Sequence, residues 1–399
     1  MPSNYNYQDG ESIIPFEDRF VSADLFFTGN LWSWGRGVEG QVGNNKTGNF
    51  ANQSGPYETY YSQLGWKSGS VYGNSYPQNN NNLDRMNAIT IDGKLYGWGT
   101  GALLGNGSPD TKSVPTRIGY SNDWKQISCG KNVTAAIKTN GTLWTWGNSY
   151  EVLGTNTATV SSTPVTTFAG GTDWKQASCG TNSVAAIKTD GTLWVWGTGN
   201  LGINRSENSI TPVTTFAGGN NWKQVSNGHG YSVAIKTDGT LWAWGSNTWS
   251  NLGINHTTDS YTPVTTFAGG TNWKQVSCGQ NCSAAIKTDG TLWTWGINFR
   301  GQLGTNDSVD RYTPVTTFGG GNDWKIVEMI GSSCFGIRTN GSLWVWGYDA
   351  YGQLGVSGTD DKLTPVQVDI VTNGWKTIFS GHDSASIGAL TFEGEYLSS

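Results

Sequence analysis

Charged side chains are scarce in this chain of 399 residues. Lys, Arg, Asp and Glu make up 13% of the sequence, about half of the ~25% of a typical globular domain. The formal net charge is −5, whereas a nucleic-acid binder needs a basic surface that exchanges with phosphate counterions. We therefore predict that the protein does not bind nucleic acid.

Histidine and cysteine, the common metal ligands, are also few, at 3 and 5 residues. Cys129, Cys179 and Cys278 recur in the phrase S-C-G, where we expect small buried residues. Cys278 and Cys282 form a lone CxxxC without the second pair that a zinc site usually has. The run G-H-D-S at 381–384 is not a catalytic triad, because a triad is defined by geometry and not by adjacency. We predict no metal, no cofactor, no catalytic residues and no enzyme activity.

Long apolar runs are missing as well. No stretch approaches 18 apolar residues, so we predict no membrane insertion. The first twenty residues, M-P-S-N-Y-N-Y-Q-D-G-E-S-I-I-P-F-E-D-R-F, have neither the basic nor the apolar region of a secretory signal. We expect an N-terminal arm over 1–20 and synthesis in the cytoplasm, with a virion as one final location left open.

Tryptophan, in contrast, is abundant, at 21 residues. The phrase L-[WY]-x-W-G occurs seven times, starting at Leu31, Leu95, Leu143, Leu193, Leu241, Leu292 and Leu343. A Trp-Lys pair also occurs seven times, at Trp66, Trp124, Trp174, Trp222, Trp273, Trp324 and Trp375. These two phrases contain every tryptophan except Trp249, and such self-similarity at a fixed period indicates a repeat architecture.

Each period of about 50 residues contains four strand-like segments, such as T-P-V-T-T-F, W-K-Q-V-S-C-G, S-A-A-I-K-T and T-L-W-T-W-G. Asp-Gly or Asn-Gly separates the last two segments, which is the strongest short signal for a β-hairpin. Four short strands in a period of this length are typical of a propeller blade. We predict an all-β, seven-bladed propeller over 21–399 with four-stranded blades and tryptophans as its core.

The ring closure follows from an imbalance between the two ends of the chain. An extra hairpin is expected at 23–35, while the last unit lacks Trp-x-Trp-Gly. An open ring would expose sheet edges, so we predict that 23–35 completes the closing blade and that both termini close the ring. The predicted repeat units are 56–99, 114–147, 163–197, 211–245, 262–296, 313–347 and 364–397.

The segments L-W-S-W-G-R-G-V-E-G-Q-V-G (31–43), L-W-T-W-G-I-N-F-R-G-Q-L-G (292–304) and L-W-V-W-G-Y-D-A-Y-G-Q-L-G (343–355) carry a resemblance. They are similar to the regulator of chromosome condensation repeat family, which implies a seven-bladed propeller over about 31–397. That family includes a nucleotide-exchange factor for a small GTPase that binds chromatin, secreted inhibitors of β-lactamases, and bacterial and phage proteins.

The chain also departs from the eukaryotic members of this family. It has no basic tail for chromatin and no obvious insertion for engaging a GTPase. Where the family often has His after C-G-x-x, this chain has Val133, Ser183, Tyr231 and Cys282. We therefore identify it as a bacterial or phage-type member.

The connections after Trp-Gly differ most between the repeats, and binding commonly resides in loops on a rigid scaffold. Trp, Tyr and Arg also dominate protein-binding hot spots. The predicted protein-binding rim is Arg36, Glu39, Tyr150, Trp249, Phe299, Arg300 and Tyr351. We expect Trp249 near its centre, and neutral variation of solvated loops is the alternative.

Three functions stay open at this point. The first is a non-catalytic structural or decoration component of a virion or surface assembly, held by protein partners. The second is a soluble inhibitor or binding protein that caps an enzyme with one propeller face. The third is an intracellular regulator of the nucleotide-exchange type.

Overall fold

The computed structural model describes residues 30–48, 53–73, 83–369 and 374–392. Within these ranges the strands form seven sheets arranged in a ring. The helices of the described residues are three single 3-10 turns at Ser62–Leu64, Gly101–Leu103 and Tyr150–Val152. This confirms the predicted all-β, seven-bladed propeller.

We number the blades in chain order, with four antiparallel strands in each. Blades 1 to 3 consist of Trp66–Tyr72, Arg85–Thr90, Leu95–Gly99 and Lys112–Arg117; Trp124–Cys129, Val133–Lys138, Leu143–Gly147 and Ser161–Thr166; and Trp174–Cys179, Ser183–Lys188, Leu193–Gly197 and Ser209–Thr214. Blades 4 and 5 consist of Trp222–Asn227, Tyr231–Lys236, Leu241–Gly245 and Ser260–Thr265; and Trp273–Cys278, Cys282–Lys287, Leu292–Gly296 and Arg311–Thr316.

Blade 6 consists of Trp324–Ile330, Ser333–Arg338, Leu343–Gly347 and Lys362–Gln367, and blade 7 of Trp375–Ile378, Ser386–Thr391, Leu31–Gly35 and Gln53–Glu58. The first strands of blades 1 to 6 line a central channel together with Gly381, so they are the innermost strands of those blades. A short parallel strand, Ser380–His382, extends the inner edge of blade 1.

The blades are offset by one strand from the units defined on the sequence. The strand that contains Thr-Pro-Val pairs with the preceding Trp-x-Trp-Gly strand, as Ser161–Thr166 does with Leu143–Gly147. The chain therefore returns antiparallel within one sheet after Trp-Gly, and it crosses to the next blade in the short segment before Trp-Lys. For the same reason Lys362–Gln367 lies in blade 6, so the closing blade does not start near Thr364 as expected but at Trp375.

Blade 7 closes the ring with strands from both ends of the chain, as predicted. Leu31–Gly35 pairs with Ser386–Thr391 along its whole length. Its other edge pairs with Gln53–Glu58. Both edges of this N-terminal strand are therefore occupied, and the expected hairpin partner at 23–28 lies outside the described residues.

The repeated tryptophans form the core between the blades. All seven Trp-Lys tryptophans and all seven second tryptophans of the L-[WY]-x-W-G phrase are buried. The first tryptophans of the phrase are half-buried, which the sequence did not indicate. They pack edge-on against the Trp-Lys tryptophans, as Trp293 does against Trp273, and Lys287 lies over both rings.

A loop segment that ends in Leu-Gly or Val-Gly joins each blade to the next one. In blade 5 the indole N–H of Trp295 donates to the backbone carbonyl of Asn251 in blade 4 at 2.9 Å. Gly253 lies directly against that indole, because a Cβ there would be 2.8 Å from its Nε1. The glycine adopts φ +67, which disfavours any other residue. The glycine packs against the next indole at every junction, and the indole donates to the loop carbonyl at all of them except Trp244, whose Nε1 has no partner.

A second set of contacts joins the innermost strands of blades 2 to 6. A glutamine amide in one blade donates to a backbone carbonyl of the next blade and accepts from the N–H of the same residue, at 2.7–3.2 Å. The pairs are Gln126 with Ala177, Gln176 with Val225, Gln224 with Val276 and Gln275 with Val327. The blades therefore form one rigid ring from which the loops project.

Candidate functional site

The connections after Trp-Gly all leave the same end of the ring, which we call the Trp-Gly end. In blades 4, 5 and 6 these loops have equal length, because they link Gly245 to Ser260, Gly296 to Arg311 and Gly347 to Lys362 as cross-strand partners. Each starts with two successive tight turns, such as Gly301 N–H to the Asn298 carbonyl and Gly304 N–H to the Gly301 carbonyl. The same turns in three blades present equivalent side chains side by side.

Trp249 and Phe299 are the most exposed aromatic side chains of these loops at the Trp-Gly end, where Val309 is exposed as well. The exposed fractions of Trp249 and Phe299 are 47% and 49%. An isolated apolar side chain at the surface is common, but these two lie in the loops of adjacent blades. Trp249 is therefore not part of the core that contains the other tryptophans.

Arg300 connects the loops of blades 5 and 6. Its guanidinium lies 5.3 Å from the ring centre of Phe299 and 5.0 Å from that of Tyr348. Its Nη1 also lies 3.2 Å from the carboxylate of Asp361. Tyr348 in turn packs edge-on against Tyr351 at 6.2 Å. We call Trp249, Phe299, Arg300, Tyr348 and Tyr351 the rim.

Arg36, which the sequence placed on the binding surface, is instead buried. Only 5% of it is exposed, and its guanidinium is paired with the buried carboxylate of Asp84. Gln41 donates to the same carboxylate at 2.9 Å. Arg36 and Gln41 belong to blade 7 and Asp84 precedes a strand of blade 1, so this charge pair stabilises the closing junction of the ring.

The other two predicted rim residues have different positions. Glu39 is half-buried in the blade 7 loop, at the position that Trp249, Arg300 and Tyr351 occupy in their blades. Tyr150 is exposed but lies in blade 2, which blade 3 separates from blade 4. The structure therefore brings Phe299, Arg300 and Tyr351 together, sets Trp249 in the neighbouring blade, and leaves Tyr150 apart.

A second aromatic surface was missed by the sequence reasoning. Outer strands begin opposite Trp-Gly and end opposite the first tryptophan, as Thr166 does opposite Trp144, so residues after them lie at the far end of the ring. Four phenylalanines there are 55–65% exposed, namely Phe168, Phe216, Phe267 and Phe318. Their recurrence in T-T-F was visible in the sequence, but it was interpreted as part of a strand.

Among the described residues that line the central channel, Glu328 is the one carboxylate, and hydroxyl and amide groups surround it. The cavity has a volume of about 130 Å³ and is lined by the innermost strands. Glu328 occupies a position where blades 2 to 5 have serine, and Ser277 donates to it at 3.0 Å. Burial raises the pKa of Glu328 to about 7, against the opposing effect of the Ser277 hydrogen bond. This group titrates near neutral pH.

The described residues show neither a candidate metal-binding cluster nor a membrane-spanning helix. Among them, no group of three or more His, Cys, Asp and Glu side chains is placed to hold a metal ion. All five cysteines are free and buried. No helix in the described ranges has the length and apolar character needed to cross a bilayer.

Comparison with known proteins identifies the family. A model of the RCC1-like domain matches residues 83–389. The chain belongs to the RCC1-like domain family. Its ring is similar to that of Prp20p from Saccharomyces cerevisiae, with a TM-score of 0.80 over 96% of both chains at 16% identity. It is also similar to human WBSCR16, with a TM-score of 0.77 over 92% of this chain and 99% of that one at 18% identity. At such identities the likeness shows the fold alone.

Curated relatives of this RCC1-like chain match over shorter segments. The ultraviolet-B receptor UVR8 of Arabidopsis thaliana is 32% identical over 138 residues, which are 34% of this chain and 31% of the receptor. The E3 ubiquitin-protein ligase HERC2 of Homo sapiens is 32% identical over 116 residues, 27% of this chain and 2% of the ligase. The chain thus aligns with a third or less of these proteins, and the bacterial or phage type stays a prediction.

Proposed function

We propose that the protein is a non-catalytic propeller that binds a protein partner through the rim. The observation that carries this proposal is the exposure of Trp249 and Phe299 on adjacent loops, next to the stacked Arg300. Aromatic and arginine side chains are the usual anchors of protein interfaces. The ring holds these loops in place before a partner arrives, which lowers the ordering cost of binding.

The RCC1-like fold supports protein binding in general and does not name the partner. Prp20p was described together with its binding to Gsp1p and histones, but that likeness concerns the fold. None of the relatives given above is a virion protein, so only the composition of the chain supports a role in a virion assembly. An enzyme-capping inhibitor and an exchange-type regulator would use the same exposed end, and the rim is common to all three.

A pull-down from the native source with three variants tests the rim. Trp249→Ala and Phe299→Ala each remove an anchor, and truncation of a hot-spot residue typically weakens binding by about 2 kcal/mol or more, roughly 30-fold. Phe267→Ala is the matched control, because it removes an exposed aromatic at the far end. We expect a partner retained by the wild-type chain and the control to be lost from both rim variants. If the partner binds the rim variants but not Phe267→Ala, the binding surface lies at the far end and not at the rim.

A further inference from the structure

The equal loops of blades 4, 5 and 6 contain a buried amide or carboxyl side chain at the same position, two residues after Trp-Gly: Asn247, Asn298 and Asp349. In all three blades the backbone N–H of this residue donates to an aspartate twelve positions later, at 2.7–3.1 Å: Asp259, Asp310 and Asp361. In all three, its Oδ1 accepts from the N–H of the leucine five positions later, at 2.8–3.0 Å: Leu252, Leu303 and Leu354. The side chain therefore has the same orientation in each blade.

The remaining atom of this side chain differs between the blades. In blade 4, Nδ2 of Asn247 donates to the carbonyls of His256 at 2.5 Å and Thr258 at 3.1 Å. In blade 5, Nδ2 of Asn298 donates to the Asp307 carbonyl at 2.9 Å and to the Thr305 hydroxyl oxygen at 3.0 Å. Each amide thus fills a socket of oxygen acceptors and holds the loop to its own base.

In blade 6, Asp349 has a carboxyl oxygen, Oδ2, at the position of the amide nitrogen of Asn247 and Asn298. Asp349 is fully buried, and its Oδ2 has no hydrogen-bond partner. The backbone positions equivalent to His256 and Thr258 are Gly358 and Asp360, nine and eleven residues after Asp349. In the arrangement that blades 4 and 5 show, an ionised carboxylate would direct a charged oxygen at carbonyl oxygens, and an unpaired buried charge is strongly unfavourable.

We propose that Asp349 is held as a neutral carboxylic acid whose O–H replaces the asparagine N–H of the sister blades, and that its deprotonation loosens the rim loop. In blades 4 and 5 the amide nitrogen lies 2.5–3.1 Å from the carbonyl oxygens that accept from it, which is the range of ordinary hydrogen bonds. A protonated carboxyl oxygen in the same position can therefore donate in place of the amide. The loop carries Tyr348 and Tyr351. Any consequence of this loosening for partner binding rests on the proposed function, whereas the protonation of Asp349 does not.

Burial is the main cause of a raised pKa at Asp349, and the surrounding charges act in both directions. Burial raises its pKa to about 7, the Leu354 N–H and Lys362 act to lower it, and Asp361 and Asp360 act to raise it. Asp361 is itself paired with Arg300 at 3.2 Å, so the rim arginine lies one contact away. The proton that closes the loop is therefore lost as the pH rises through about 7.

The sign of the stability effect follows from this raised pKa. The folded chain holds the proton more tightly than the unfolded chain, whose carboxyl titrates near ~3.9. Stability from this group is therefore complete below about pH 4, falls as the pH rises to about 7, and then stays level. Glu328 titrates in the same range, so the difference between two variants that both contain Glu328 isolates Asp349.

Thermal unfolding of the wild-type chain and of Asp349→Asn at pH 5 and pH 8.5 tests the proposal. We expect similar midpoints at pH 5, and a midpoint about 2–5 °C higher for Asp349→Asn at pH 8.5, since the amide keeps its donor at every pH. Asn247→Asp is the reciprocal control, because it introduces the acid into a socket of two backbone carbonyls. It should unfold at a lower temperature than the wild-type chain at pH 8.5 and recover at pH 5.

Midpoint differences that do not change with pH would overturn the proposal. A rise of the wild-type midpoint at pH 8.5 with millimolar CaCl₂, absent in Asp349→Asn, would also overturn it, because a cation would then fill the socket. Neither measurement needs a partner, so a negative result would refute the Asp349 proposal without affecting the proposed binding through the rim. Conversely, a partner unaffected by Trp249→Ala would refute the rim function without changing the Asp349 result.

Discussion

The contact between each loop glycine and the next blade's tryptophan can be measured with two matched glycine variants. Gly253 and Gly269 both have positive φ, +67 and +57, so alanine at either position costs roughly 1–2 kcal/mol in backbone conformation. A Cβ at Gly269 meets nothing within 4 Å, whereas a Cβ at Gly253 would lie 2.8 Å from Nε1 of Trp295. The two variants therefore share the conformational cost and differ in the clash.

The clash at Gly253 has two parts. Overpacking typically costs about 1–3 kcal/mol, and moving the indole breaks its hydrogen bond to Asn251, which adds about 1 kcal/mol. We expect Gly253→Ala to lose roughly 3–6 kcal/mol of unfolding free energy and Gly269→Ala roughly 1–2 kcal/mol, measured by guanidinium unfolding. Equal losses for the two variants would refute the idea that this glycine exists to admit the neighbouring tryptophan.

Three further outcomes follow from the core, the channel and the closing blade. All five cysteines are buried, and burial raises the pKa of Cys179 and Cys278 to about 12. A thiol reagent should therefore label the native protein only as fast as the protein unfolds. Rapid labelling would contradict this packing. Because the pKa of Glu328 is raised, its contribution to stability should fall from about pH 4 to pH 7, and Glu328→Gln should make that part of the stability profile less steep in thermal unfolding, with the contribution of Asp349 remaining. Deletion of residues 1–35 removes the third strand of blade 7 and should cause aggregation in light scattering, whereas deletion of 1–29 keeps that strand; equal behaviour of both truncations would contradict the closure.

The fold was readable from the sequence because the repeat displays its own packing. Two tryptophans two residues apart on one strand, next to an Asp-Gly turn, specify a hairpin with one heavily apolar face. Seven copies of that phrase give the number of blades. The blade boundary was not readable, because the sequence does not show whether a Thr-Pro-Val strand pairs backward or forward. That choice depends on the length and turn geometry of the loop between them.

The candidate site was only partly readable. Trp249 stood out because no repeat position explained it, and its exposure agrees with that reasoning. Arg36 could not be placed, because its partner Asp84 is 48 positions away and ring closure alone brings the two together. The far-end phenylalanines were hidden by their regularity, since a residue present in every copy looks like core until its direction is known.

A photo-crosslinking amino acid at position 249 tests the rim most directly. The partner would be mixed with two variants of this protein. One variant contains the photo-crosslinking amino acid in place of Trp249, and the other contains it in place of Phe267 at the far end. Both sites are exposed in the free protein, so the probe disturbs neither core. We expect a crosslinked product from position 249 and none from position 267. Crosslinking from position 267 alone, or from neither position while the complex forms, would contradict binding at the rim.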